Sequence, residues 1–133
     1  MFHDSAGIKR ARLACLVIAL VSLDRPATAQ EPGAEPSPQR KLYTLHCAGC
    51  HGASGKGDGL AARFVYPKPR DFTTGKMRLV STVNRVASAD DLRGSIERGF
   101  PGTSMQGWKH LGSETIGQLV AEVIRLREEG LRN

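Results

Sequence analysis

Cys47-Ala48-Gly49-Cys50-His51 places two thiols and an imidazole within five residues. Two thiols at this separation near a helix end can each add to one vinyl group of a haem. The adjacent imidazole then faces the iron from the same side. This C-x-x-C-H spacing is that of c-type haem attachment.

Other chemistries for the same residues fail on specific counts. A structural zinc site needs four ligands. Beyond the motif, the chain after residue 29 offers only His46 and His110, and no second cysteine pair. A thioredoxin-like thiol pair belongs in a strand–helix–strand setting, which the periodicity here lacks. A plain Cys47–Cys50 disulfide would explain neither His51 nor the long loops. The glycine run Gly52 to Gly59 superficially suggests a phosphate loop. That loop requires G-x-x-x-x-G-K followed by Ser or Thr, whereas Cys50 lies five before Gly55 and Gly57 follows Lys56. Glycines beside a bulky planar group instead permit tight turns and close backbone approach.

With His51 on the iron, one axial position remains. Its candidates are Met77, Met105 and His110. Met105 lies in Gly99-Phe100-Pro101-Gly102-Thr103-Ser104-Met105-Gln106-Gly107-Trp108, between two expected helices. Such a loop could fold over the face opposite His51. A lone methionine is often core filler, so position alone leaves the choice open.

The elements that must hold these groups are helices and loops. Ser37 followed by Pro38 predicts a helix start, and the first helix is expected over 38–49, with Leu42, Leu45 and His46 at helical spacing. From His51 to Val86, glycines and the prolines Pro67 and Pro69 predict a long irregular excursion, of the kind that wraps a ligand. Ser88-Ala89-Asp90-Asp91 resembles a capping box with Asp in place of Glu, predicting a short helix over 89–98 that stops at Gly99. A second loop spans Phe100 to Gly112. Ser113 opens the last helix, whose Ile116, Leu119, Val120, Val123 and Ile124 form one buried stripe, with Gly130 expected to end it. No segment alternates as a strand does, so the fold class is all-α.

The chain is 133 residues long, which favours one domain. Its first 29 residues read as a secretory signal peptide: Lys9, Arg10 and Arg12, an apolar run from Leu13 to Leu23, then Ala27-Thr28-Ala29. That run is too short to cross a bilayer, which needs about 20 residues, so no membrane span is expected after cleavage. Cys15 would leave with the signal. Residues 30–37 read as a flexible leader, and 38–130 as the functional domain. Losing residues 1–29 removes four basic and two acidic residues and lowers the formal charge from +6 to +4. Such a charge suits an acidic partner surface and does not establish nucleic-acid binding. About a hundred residues with few aromatics make a thin core, which a large apolar cofactor would help to fill.

On Cys47 to Gly52 and on Pro101 to Trp108, over about residues 38–127, the chain resembles the class I cytochrome c family, in particular its small bacterial periplasmic members. In that family a first helix ends in C-x-x-C-H-G. The sixth iron ligand comes from a loop reading roughly P-G-T-x-M-P-x-W, before a C-terminal helix. Only Gln106 departs from that loop, standing where proline is usual. The resemblance implies one covalent haem c, His51 and Met105 as iron ligands, and long loops wrapped around the haem. It also implies a proline carbonyl that accepts the second ring N–H of the histidine. Pro69 is the better candidate and Pro67 the alternative. Trp108 would pack beside the haem, hydrogen-bond a propionate, or serve as a core aromatic. Two further departures are Leu60 after Gly57-Asp58-Gly59, where relatives often carry proline, and Glu122 on the last helix, near which they usually carry an aromatic. Glu122 is expected on a solvated face.

With both axial positions filled, such a protein carries one electron at a time through an exposed haem edge and is not by itself a catalyst. A thioether ligand raises the reduction potential. Between residues 56 and 85 the basic side chains Lys56, Arg63, Lys68, Arg70, Lys76, Arg78 and Arg85 outnumber Asp58 and Asp71. They are expected either to form a rim that steers an acidic redox partner or simply to solvate the long loop and pair with haem propionates. The rival readings are a haem sensor with a displaceable Met105 and a cytochrome subunit of a larger periplasmic oxidoreductase.

Overall fold

Ser37 opens the first helix as its sequence requires: the hydroxyl accepts the Arg40 backbone N–H at 3.2 Å, and Pro38 occupies the first turn. The computed structural model describes residues 35–133, so the expected signal peptide and most of the expected leader lie outside the described residues. Among the described residues four α-helices follow one another, α1 (Pro38–His46), α2 (Ala48–His51), α3 (Ala89–Arg98) and α4 (Ser113–Arg132). Single 3₁₀ turns lie at Ala62–Phe64 and Lys109–Leu111. There is no strand among the described residues, and none of their helices is long and apolar enough to cross a membrane.

The first helix stops earlier than its sequence pattern implies. Cys47 leaves helical geometry (φ −122°, ψ −37°), and the chain restarts as the single turn α2. The Cys47 carbonyl takes bonds from both Cys50 N–H (3.2 Å) and His51 N–H (2.9 Å), a tightened turn of the kind found at helix ends. The break lies inside the C-x-x-C-H motif and sets how its side chains are aimed.

Helix α3 has the expected bounds. Ser88 Oγ accepts Asp91 N–H at 3.1 Å and Asp91 Oδ2 accepts Ser88 N–H at 2.9 Å, a complete capping box. Asp91 Oδ2 also accepts Ser81 N–H at 3.1 Å. These bonds to the charged form, that from Ser88 foremost, hold the carboxyl down at about 2.

Helix α4 buries Ile116, Leu119, Val120, Val123 and Leu126 against α1 and α3, with Ile124 only partly covered. It does not end at Gly130 but runs to Arg132. Gly130 passes so near Thr73 that a side chain would lie 2.3 Å from its Cβ, so this glycine serves a close contact and not a stop. Arg127, also buried, donates to the Ala87 carbonyl at 2.8 Å and ties the last turns to the loop before α3.

Glu122 corrects a sequence expectation. It is not on a solvated face but 2% exposed. Its Oε1 accepts from Arg40 Nη1 at 3.0 Å and Arg125 Nη2 at 2.9 Å, while Oε2 accepts from Arg125 Nε at 2.9 Å. An ion-paired carboxylate thus holds α1 to α4, and the fully buried aromatic of the core is Tyr43 on α1. Burial raises the Glu122 pKa, but the hydrogen bonds and charges of Arg125 and Arg40 outweigh it and leave it below the usual value. A depressed folded pKa adds stability that is complete above about pH 5 and fades as the pH falls through the folded value. Glu122→Ala is expected to cost roughly 2 kcal/mol, less than a fully buried pair because both arginines can turn to water. Thermal unfolding at pH 7 should show a fall of about 10 °C, and the gap to wild type should narrow in acid. Equal melting at pH 7 would make the pair a surface ornament.

Candidate functional site

Cys47 and Cys50 are free thiols, both half-buried, and with His51 they line a cavity of about 340 Å³. Burial, and then the neighbouring Cys50, push the Cys47 thiol up to about 11, so it is protonated at neutral pH. His51 Nδ1 lies 3.0 Å from the Arg70 carbonyl. Paired with a carbonyl, that nitrogen is the donor, which leaves the Nε2 lone pair for a metal. The imidazole stacks on Phe72, with centroids 4.5 Å apart and planes 18° from parallel. Burial lowers the His51 pKa, opposed by the Arg70 hydrogen bond, and so favours the neutral ring that can ligate.

The glycine-rich stretch braces this motif from behind. Gly57 N–H donates to the His51 carbonyl (2.8 Å), Gly59 N–H to Cys50 (3.1 Å) and Ala61 N–H to Gly49 (2.9 Å). Tyr43 adds its hydroxyl to the Gly52 carbonyl at 2.8 Å. The amides that a phosphate loop would offer to an anion are therefore spent on the motif's own carbonyls.

Of the three candidates for the sixth position, Met105 and Met77 line the cavity and His110 does not. The Met105 loop is closed on itself. Phe100 N–H donates to the Met105 carbonyl (2.9 Å), Met105 N–H to Thr103 Oγ1 (3.1 Å), and that hydroxyl to the Phe100 carbonyl (2.7 Å). Trp108 N–H donates to Ile96 at 3.0 Å and docks the loop on α3. Gln106 therefore stands in a loop already pinned by these bonds. The Trp108 ring lines the cavity edge-on to His46, with centroids 5.2 Å apart.

The histidine's carbonyl partner is one residue from the expected place. Pro69 and Pro67 both line the cavity, but Arg70 supplies the acceptor. The Pro69 carbonyl instead faces Gly57, where an added Cβ would lie 2.6 Å from it. Any residue has a carbonyl, so only the path of the loop decides which one is offered. Phe72 was not picked out from sequence. The available signal was a single aromatic closing the Pro67–Asp71 stretch of a loop that otherwise buries little.

Among the described residues, no three His, Cys, Asp or Glu side chains cluster as a metal site would require. The cavity is walled largely by apolar side chains, including Phe72, Leu92, Ile96 and Val123, with Lys68, Arg70 and Arg78 among its polar members. Two free thiols, a neutral imidazole and a thioether on apolar walls fit a planar, vinyl-bearing iron tetrapyrrole with acidic substituents.

The cytochrome c family model matches residues 39–121. No curated protein matches the chain. Among solved structures, a chain of the Kuenenia stuttgartiensis reducing HAO-like protein complex Kustc0457/Kustc0458 is similar, at 32% identity and a TM-score of 0.65. The match covers 69% of this chain and 43% of that one, so this chain spans less than half the length of its structural relative.

Proposed function

Because the chain belongs to the cytochrome c family, whose members are haem-based electron-transfer proteins with covalent haem c, we propose that it is a periplasmic monohaem carrier of single electrons. The observation that carries this reading is that one apolar cavity is lined at once by Cys47, Cys50, His51 and Met105. When bound, haem c supplies a one-electron iron couple. Cys47 and Cys50 would hold its vinyl carbons as thioethers. His51 presents Nε2, oriented through Nδ1 by the Arg70 carbonyl and flanked by Phe72. Met105 would supply a thioether sulfur to the iron from a loop tied to α3, which would leave no open position for a substrate and favour the reduced state. Trp108, Phe72 and the aliphatic wall exclude water, which raises the potential further. Secretion through residues 1–29 would deliver the chain to the compartment where haem is attached, and 38–130 would then form the haem domain.

The test is the visible spectrum of protein made with haem-attachment machinery. Low-spin bands with a near-red methionine–iron feature are expected, together with resistance to carbon monoxide when reduced. Met105→Ala should keep the haem, lose that feature, bind carbon monoxide and lower the potential. A wild-type protein that is high-spin and binds carbon monoxide would instead be a haem sensor. A second reading, as cytochrome subunit of a larger periplasmic oxidoreductase, is favoured by the likeness to a chain of a multi-protein complex. Co-purification with a catalytic partner would distinguish it.

A further inference from the structure

Between residues 64 and 70, beside the haem cavity, the side chains alternate in burial. Val65, Pro67 and Pro69 are half-buried and line the cavity, Lys68 and Arg70 are exposed and also line it, and Phe64 and Tyr66 are exposed. The two aromatics are far more open than a core would leave them, Phe64 at 76% and Tyr66 at 87%, and neither lines the cavity. Leu60, at 87%, joins them from the turn just before. Three large apolar side chains exposed within seven residues are not the scattered single exposures that a soluble surface carries without consequence.

Cations flank this patch. The Arg63 guanidinium lies 4.6 Å from the centroid of the Phe64 ring. Lys68 Nζ donates to the Ala62 carbonyl at 2.8 Å, which holds its charge beside the same turn. Arg70 follows at the cavity mouth. Asp58 is the sole acidic residue from 56 to 70. Aromatic anchors with an arginine among them, rimmed by charge, make up the usual energetic centre of a protein interface. Basic charge at the rim selects an acidic counterpart.

We propose that the outer face of residues 60–70, centred on Phe64 and Tyr66, is the docking surface for a one-electron redox protein whose own apolar patch is ringed by carboxylates. The proposal rests on the carrier reading and deepens it. It places the partner beside Val65 and Pro67, which line the cavity next in sequence to Phe64 and Tyr66. The aromatics hold the encounter complex, and Arg63, Lys68 and Arg70 steer its formation.

The probe is an acidic blue-copper protein with a carboxylate-ringed apolar patch, mixed with the reduced holo-cytochrome in stopped flow. Its Cu(II) takes one electron from the cytochrome and becomes Cu(I), with no proton transferred. F64S/Y66S should slow this reaction tenfold or more while leaving the visible spectrum and the rate with ferricyanide unchanged. L45S, which removes an exposed apolar side chain on α1, should match wild type. A double variant within twofold of wild type, or a wild type that does not react with the copper protein, would overturn the docking surface. So would sedimentation showing that the patch pairs two copies of this chain, or F64S/Y66S abolishing adsorption to anionic phosphatidylglycerol vesicles without changing the copper rate. Failure of wild type to reduce ferricyanide would strike the carrier reading itself and not the surface.

Discussion

In the proposed carrier, Gly99→Ala is expected to leave the haem attached but remove Met105 from the iron. Gly99 has φ +66°, a left-handed conformation that costs an L-residue roughly 1–2 kcal/mol. The larger obstacle is space. A Cβ there would lie 2.5 Å from the Met105 carbonyl oxygen, 2.5 Å from the Gln106 carbonyl carbon and 2.6 Å from the Gly107 nitrogen. All three are backbone atoms and none can rotate away. The end of α3 and the Met105 loop touch main chain to main chain, so the new methyl must push the loop outward as a unit. The oxidised spectrum should lose its near-red methionine feature, and the reduced protein should bind carbon monoxide, as expected for Met105→Ala. Wild-type bands in the variant would mean that Met105 is placed by something other than this contact.

The second large effect is expected on the opposite side of the site. Gly59→Ala would set a Cβ 2.3 Å from the Gly49 carbonyl oxygen, 2.4 Å from that of Ala48 and 2.6 Å from the Gly49 carbonyl carbon. The loop cannot simply retreat, because Gly59 N–H is bonded to the Cys50 carbonyl and Ala61 N–H to that of Gly49. Overpacking of this kind costs up to about 3 kcal/mol even where side chains can yield. Here α2 itself must move, and with it both thiols and His51. Yield of covalently loaded protein should fall severalfold, and melting of what is recovered should drop by more than about 10 °C. Normal loading with normal melting would show that the glycine loop is not what holds the motif in place.

These two changes act through rigid main-chain contacts, whereas the Glu122 ion pair acts through flexible side chains that can reach solvent. That difference separates a relocated ligand from a loss of stability alone. Gly99→Ala should alter the spectrum more than the melting temperature, and Glu122→Ala the reverse.

Much of the site was legible in the residues because its chemistry is local. Cys47, Cys50 and His51 lie within five positions, so the covalent geometry of one helical turn brings them together whatever surrounds it. The α3 boundaries were legible for the same reason: Ser88, Asp91 and Gly99 act on backbone groups within three or four residues of themselves. The start of α4 and its apolar stripe follow from periodicity. Legibility failed where a residue's role depends on something distant. Glu122 reads as a surface glutamate until α1 brings Arg40 to it from 82 positions away. The His51 acceptor depends on how a loop 19 residues on returns to the ring. Its small error, Arg70 in place of Pro69, reflects that backbone carbonyls carry no sequence signature.

The amino-acid sequence thus determined what chemistry the chain can perform and which short segments are helical, since reactive groups, caps and periodicity act over one or two turns. The tertiary structure alone decided which carbonyl orients His51, that Phe72 stacks on it, that both Met77 and Met105 line the cavity while His110 does not, and that a buried carboxylate joins the first helix to the last. Each of these is a contact across a long loop. Its geometry is set by the packing of the whole core, which no local pattern of residues records.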